Sequence, residues 1–122
     1  YTKKITQKLK SDPITKNVPI ILFEKDPKQK ITDLIFDDLS CISLHWKNDI
    51  EAISKSVKNN IAIQGNLNPM ILSGSDEIIY QEVQRICSIM FEYPGFIFNL
   101  GHGITPDINP QKVQTMIKAA RE

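Results

Sequence analysis

Four short apolar runs alternate with stretches of helical periodicity along this chain, and this alternation constrains the fold more than any other feature. The runs lie at 18–23, 41–46, 61–64 and 95–99. The first is apolar throughout, which is typical of a parallel strand buried on both faces. Strands that alternate with helices through short links form a parallel sheet with right-handed crossovers. The sequence therefore predicts an α/β fold, with one leading helix followed by four strand–helix units.

Five groups of apolar residues, spaced three or four positions apart, define the inner faces of the predicted helices. In chain order they are Tyr1, Ile5 and Leu9; Ile31, Leu34 and Ile35; Ile50, Ile53 and Val57; Ile79, Val83, Ile86 and Met90; and Val113, Met116, Ile117 and Ala120. Each group predicts one amphipathic helix.

Polar residues mark where several of these helices begin and end. Asn48 or Asp49 is the expected cap of the third helix, and Asn59-Asn60 closes it. Ser75-Asp76-Glu77 starts the fourth helix, with acidic groups at its positive end. Asn109-Pro110 opens the last helix, with the capping side chain first and the proline in the first turn.

Two architectures are compatible with this order. One is an open doubly wound sheet, and the other is part of an eight-stranded β/α barrel. A whole barrel needs ~250 residues, so a chain of 122 residues supplies half of one. The sequence contains neither Gly-x-Gly-x-x-Gly nor a Walker-type loop, which disfavours a nucleotide-binding open sheet. The spacing of the predicted elements alone supports the two architectures about equally.

Composition excludes several classes of function. The formal charge of +1 produces no overall positive potential that would attract nucleic acid. The lysine cluster Lys3, Lys4, Lys8 and Lys10 predicts a solvated helix face. No apolar run approaches the ~18 residues that span a bilayer, and no signal-peptide pattern is present. Cys41 and Cys87 are far apart, so we expect buried, reduced thiols. These features favour a cytoplasmic domain that binds neither nucleic acid nor membrane.

The stretch Gly101-His102-Gly103, directly after the last apolar run, contains the strongest candidate for a site. Ligands bind at the carboxyl ends of the strands in parallel α/β folds. His102 would present an imidazole there, and Gly101 and Gly103 would allow a ligand to approach the backbone closely. The alternative is a loop histidine between glycines that serve turn geometry.

A second polar stretch begins at the end of the third run. Gln64, Gly65 and Asn66 could bind a ligand through their amides or could satisfy the loop backbone. His45 and Trp46 end another strand, where we expect Trp46 to pack in the core or at the barrel mouth. The sequence offers no paired carboxylates, no metal-ligand spacing and no Gly-x-Ser-x-Gly elbow.

Four segments together resemble uroporphyrinogen decarboxylases. Residues 98–104, Phe-Asn-Leu-Gly-His-Gly-Ile, are similar to the C-terminal signature of that family, and residues 63–69 to its Gln-Gly-Asn-Leu-Asp-Pro motif. Residues 19–25 resemble its strand ending in Phe-Ala-Lys, and residues 44–46 its Leu-Asp-Trp. The sequence departs from the family at His45 and Asn68, where aspartate is usual, and at Glu24, where alanine is common.

The resemblance implies that residues 1–122 are the C-terminal half of a single TIM-barrel domain whose N-terminal half is absent. The complete enzyme would be a cytoplasmic homodimer without metal or prosthetic group. It would remove carbon dioxide from the four acetate groups of uroporphyrinogen III to give coproporphyrinogen III in heme biosynthesis. In the family the histidine matched by His102 contacts substrate.

The same resemblance implies that most of the site lies elsewhere. The family's arginine-rich loop and the aspartate that gathers the pyrrole nitrogens belong to the N-terminal half and have no match here. We therefore expect no confidently catalytic residue in this chain, and we expect the chain alone to be inactive. A half barrel also exposes two unpaired strand edges and apolar residues meant for the barrel interior, which predicts self-association.

Two other functions remain open at this point. A zinc-dependent cobalamin or corrinoid methyltransferase of the same superfamily would carry a zinc-binding cysteine at the position of His102, so the histidine favours the decarboxylase. A non-catalytic assembly fragment is the second alternative.

Overall fold

The computed structural model describes residues 1–26, 28, 30–57 and 61–122. This part of the chain contains four α-helices, four strands and two 3₁₀ turns, and only a 3₁₀ turn separates the first two strands. In order they are α1 (Thr2–Ser11), β1 (Ile21–Phe23), a turn at Ile31–Leu34, β2 (Cys41–Ser43), α2 (Ile50–Val57), β3 (Ala62–Leu67), a turn at Pro69–Ser73, α3 (Asp76–Met90), β4 (Phe96–Leu100) and α4 (Pro110–Arg121).

The four strands form one parallel sheet in the order β1-β2-β3-β4. Ile21 pairs with Cys41, Cys41 with Ala62, and Ile63 with Phe96. Crossovers between parallel strands are right-handed in nearly all proteins, so connections between consecutive neighbours place the helices on one face of the sheet, as in a β/α barrel. The predicted α/β class and strand order are therefore confirmed, and the sheet shows no reversal of strand order, which is the mark of a doubly wound fold.

The hydrophobic core lies between the sheet and the helices. Its fully buried side chains come from β2 and the residue after it, β3, the turn at 69–73, α3 and α4; among the largest are Ile42, Leu44, Ile63, Leu67, Leu72, Ile79, Val83, Ile86 and Met90. The predicted inner face of α3 is confirmed at all four positions. This core fixes the sheet as a platform from which the strand ends project.

Side-chain caps define the helix starts. The Ser75 hydroxyl accepts a bond from the backbone N–H of Ile78 at 3.3 Å, and the Asn109 carbonyl oxygen accepts from Gln111 at 2.9 Å. Asp49 caps α2, because its carboxylate accepts from the N–H of Ala52 at 3.0 Å. The expected end of α2 at Asn59-Asn60 lies outside the described residues.

The prediction that the first strand is buried on both faces is wrong. Only residues 21–23 form strand, and Ile21 and Phe23 are 50% and 42% exposed. β1 is one of the two edges of this sheet, and the sheet face opposite the helices has no cover among the described residues, so alternate side chains of β1 remain in contact with solvent. On β4, Ile97 is exposed in the same way.

Two predicted helix faces also differ. The apolar residues of α1, namely Tyr1, Ile5 and Leu9, are exposed, whereas Thr6 is buried. The group at 31–35 forms only one 3₁₀ turn, because Ile35 is already extended. The residues of this turn nevertheless contact the core, in which Ile31 is buried.

Smaller corrections concern β3, α4 and the cysteines. β3 continues to Leu67, beyond the end at Gly65-Asn66 that the polar stretch predicts. On α4, Met116 is buried and Val113 and Ala120 pack against the core as predicted, whereas Ile117 is 41% exposed and Ala119 is buried in its place. Both cysteines are free thiols; Cys41 is buried as predicted and Cys87 is half-buried.

In the described part of the chain, none of the helices combines the length and apolar character needed to cross a bilayer.

Candidate functional site

A cavity of ≈ 370 Å³ opens at the carboxyl end of the sheet, on the face opposite the helices. All four strands and the loop after β4 contribute to its lining. The lining consists of Phe23, Ser43, Gln64, Asn99, Leu100, His102, Gly103 and Ile104. Among the residues predicted from the sequence, the structure therefore brings His102, Gly103 and Gln64 together. This is the edge at which parallel α/β folds bind ligands.

The floor of the cavity is one row of side chains across the sheet. Strand register places Phe23 beside Ser43, and Ser43 beside Gln64. The amide nitrogen of Gln64 donates to the Ser43 hydroxyl oxygen at 2.9 Å. Since that oxygen is the acceptor, the Ser43 proton and the Gln64 carbonyl oxygen stay available to a ligand. The floor can thus offer one donor and one acceptor.

The imidazole of His102 stands between two other rings at the cavity mouth. Its centroid lies 6.2 Å from that of Phe23 and 5.9 Å from that of His45, with interplanar angles of 78° and 81°. Both contacts are edge-to-face arrangements within the favourable range for aromatic pairs. His102 itself is solvent-exposed, so it can meet a ligand while its ring is flanked on two sides.

His45 is buried behind His102, with 8% of its surface exposed. Its Nδ1 accepts a bond from the backbone N–H of Lys47 at 3.1 Å. Burial lowers the pKa of His45 most, and the nearby charges of His102 and Lys47 lower it further. The ring is therefore neutral at pH 7, and because Nδ1 accepts, its proton resides on Nε2.

Glycine is required at position 101 because two backbone segments approach each other closely there. A Cβ at this position would lie 2.3 Å from the backbone nitrogen of Trp46. The N–H of Trp46 donates to the carbonyl of Gly101 at 3.2 Å, and the N–H of Gly101 donates to Leu67 at 2.8 Å. Gly101 thus joins the ends of β2, β3 and β4 directly beneath His102.

Gly103 has a different environment. A Cβ on this residue would meet no atom within 4 Å, although the residue lines the cavity. Packing within the chain therefore does not require glycine here. A side chain at this position would project into open space at the cavity rim, where a ligand would pass.

Gly65 and Asn66 serve the backbone around the site. The amide nitrogen of Asn66, a buried residue, donates to the carbonyls of His45 at 3.1 Å and Asn48 at 2.8 Å. Gly65 has φ of +132°, where side chains are strained, and a Cβ would lie 3.1 Å from the carbonyl oxygen of Leu44. The sequence left two roles open for Asn66, ligand binding and hydrogen bonding to the loop backbone. The structure shows the second.

Sequence reasoning missed most of the cavity lining, notably Phe23, Ser43 and Asn99. The signal was present, because alternate residues of a strand share one face. The interpretation of the first run as buried on both faces left no face of that strand for a ligand, so Phe23 was not predicted as a lining residue. Among the residues that the structure describes, no group of three or more histidine, cysteine, aspartate or glutamate side chains could hold a metal ion.

Comparison with known proteins decides the family. The family model described as Uroporphyrinogen decarboxylase (URO-D) matches residues 1–122. The chain belongs to the uroporphyrinogen decarboxylase family.

Curated relatives of this family support the match. The chain is 35% identical over 117 residues to the uroporphyrinogen decarboxylase of Vesicomyosocius okutanii subsp. Calyptogena okutanii. The aligned segment covers 96% of this chain and 33% of that protein. It is 37% identical over 122 residues to the enzyme of Cellvibrio japonicus, covering 100% of this chain and 34% of that protein. The chain thus spans about a third of the length of these relatives.

Proposed function

We propose that residues 1–122 contribute to a cytoplasmic, homodimeric enzyme that converts uroporphyrinogen III to coproporphyrinogen III in heme biosynthesis. In this proposal their four strands supply the C-terminal half of the eight-stranded barrel of one domain. The observation that carries the proposal is the position of His102, an exposed imidazole at the mouth of a cavity at the carboxyl ends of the strands, in a chain of this family.

The reaction needs little from the protein beyond positioning. Protonation of an electron-rich pyrrole carbon turns the ring into an electron sink. The bond between the acetate methylene and its carboxylate then breaks, and carbon dioxide leaves. The methylene takes up a proton to become methyl, and the ring gives back the first proton. An enzyme accelerates this by binding the charged intermediate better than the substrate.

The lining of the cavity fits one substituted pyrrole. Phe23, Leu100 and Ile104 provide apolar contacts for the flat ring, while His102 can donate a hydrogen bond to a carboxylate. A hydrogen bond to a charged group contributes about 1.5–3 kcal/mol. In this proposal the Ser43 hydroxyl provides a second donor at the floor.

The rest of the activity is assigned to the remaining two-thirds of such an enzyme, since the chain spans about a third of its relatives. The described cavity offers binding groups but no carboxylate among its lining residues to hold the pyrrole N–H groups. We therefore propose that the 122 residues alone turn over no substrate.

A chimera tests the proposal. Residues 1–122 replace the matching third of the Cellvibrio japonicus enzyme, and coproporphyrin is quantified after oxidation of the product. We expect turnover, and we expect His102→Asn to lower kcat/KM by about 10- to 100-fold, the value of one charged hydrogen bond.

The control variant is Asp107→Asn, at an exposed position of the same loop, and it should retain full activity. A folded chimera that forms no coproporphyrin would contradict the proposed activity, as would a requirement for stoichiometric zinc. Unchanged kinetics in His102→Asn would reduce His102 to a turn residue.

A further inference from the structure

His45 has no role in the function proposed so far, yet it lies at the centre of a row of rings. The row runs from Phe23 through His102 and His45 to Trp46, with the His45 and Trp46 centroids 5.4 Å apart. The ammonium of Lys47 lies 5.1 Å from the Trp46 ring centroid and closes the row. His102 is the exposed member of the two histidines, and His45 is the buried one.

We propose that His45 is a positioning residue that holds the His102 imidazole over the cavity. The inference rests on the proposed function of His102 as the group that binds a substrate carboxylate. It goes beyond that function because His45 does not line the cavity and acts through His102 alone.

His45 is itself held in place by independent contacts. The backbone N–H of Lys47 fixes one ring nitrogen at 3.1 Å, and the amide of Asn66 holds the His45 carbonyl at 3.1 Å. The side chain has 8% of its surface exposed, so the ring has little room to turn. A ring fixed in this way provides a rigid wall for a mobile neighbour.

His102 needs such a wall because its own loop provides little restraint. Glycines flank it on both sides, so neither adjacent residue has a side chain to limit its rotamers. The contacts with Phe23 and His45 are the ring contacts that restrain it among the described residues. A histidine ordered before binding loses less conformational entropy when it meets a ligand.

The chemistry of the imidazole also suits an anionic ligand. The neutral His45 ring contacts His102 without adding a negative charge to the site. The aspartate that is usual at position 45 in similar sequences would lack this ring contact. Position 45 therefore combines ring packing with the absence of negative charge.

The direct test uses NMR on the 122-residue chain, in which two histidines contribute imidazole signals. We expect cross-relaxation between the His102 ring and the rings of both Phe23 and His45. In His45→Ala the His102–Phe23 signal should fall by about half or more as the His102 ring becomes mobile, whereas His45→Phe should restore it. Lys47→Ala is the matched control, because it keeps the backbone N–H that His45 accepts.

A second readout uses the charge coupling between the rings. Because the charge of His102 lowers the pKa of His45, His102→Asn should raise the pKa of His45 in the same titration. An unchanged His102 ring in a folded His45→Ala variant would overturn the proposal, and so would an unchanged His45 titration in His102→Asn.

Kinetics in the chimera complete the test. His45→Ala should raise KM about fivefold with kcat within about twofold, as for loss of an ordered binding group. A fall in kcat at unchanged KM would contradict a positioning role. If the chimera is inactive while the NMR contacts are present, the proposed function fails and the positioning contact remains supported, since the NMR experiment needs no substrate.

Discussion

Substitution of Gly101 by alanine is the sharpest test of how the site is built. The added Cβ would lie 2.3 Å from the backbone nitrogen of Trp46, 2.6 Å from its Cα and 2.8 Å from its Cβ. Two of these atoms belong to the backbone of the segment after β2, so no side-chain rotation can relieve the overlap. The loop after β4 must move away from Trp46.

The expected cost follows from two contributions. Overpacking of a well-packed site costs about 1–3 kcal/mol. Separation of the two segments also breaks the bond from the Trp46 N–H to the Gly101 carbonyl at 3.2 Å, which contributes about 1 kcal/mol. We therefore expect Gly101→Ala to lower the free energy of unfolding by about 2–4 kcal/mol.

Gly103→Ala provides the matched control on the other side of His102. Its Cβ would meet no atom within 4 Å, so the free energy of unfolding should stay within about 0.5 kcal/mol of wild type. Urea denaturation followed by Trp46 fluorescence measures both variants. Equal stabilities for the two variants would refute the assignment of Gly101 to backbone packing and of Gly103 to open space.

Three further predictions follow from the same contacts. Asn66→Ala should lower the free energy of unfolding by about 2–3 kcal/mol, because the carbonyls of His45 and Asn48 lose their donor; exposed Asn99→Ala, measured in parallel, should change it far less. The pKa of His45 lies below its ordinary value of 6.5 in the folded state, so the unfolded state binds the proton more tightly. Stability should therefore decrease as pH falls from about 6.5 towards the lowered folded pKa, and a pH series of urea curves should show a smaller decrease for His45→Phe. Finally, the isolated chain should self-associate through its uncovered sheet face, and light scattering should show smaller species when exposed Ile21 and Phe23 are both replaced by threonine; a monomeric wild-type chain would contradict this.

The sequence determined the order and class of the elements, because those depend on local patterns. Apolar spacing along α3 predicted all four of its buried residues, and Ser75 and Asn109 cap their helices as expected. The position of the glycine-flanked histidine directly after β4 was recognisable from the sequence, and the structure places His102 in the lining of a cavity. These features depend on neighbours within a few residues, which the sequence states directly.

Burial at the β1 edge and the roles of individual site residues depended on the tertiary structure. Nothing local distinguishes a strand covered on both faces from an edge strand, so the exposure of Ile21 and Phe23 could not be read from an apolar run. Gly101 and Gly103 look equivalent in sequence, yet only Gly101 meets another backbone. His45 and His102 lie far apart along the chain and become neighbours only because parallel strands β2 and β4 end at the same edge. The physical reason is common to all three cases: contacts between residues distant in sequence are set by how the sheet and helices pack, and a local pattern carries no information about them.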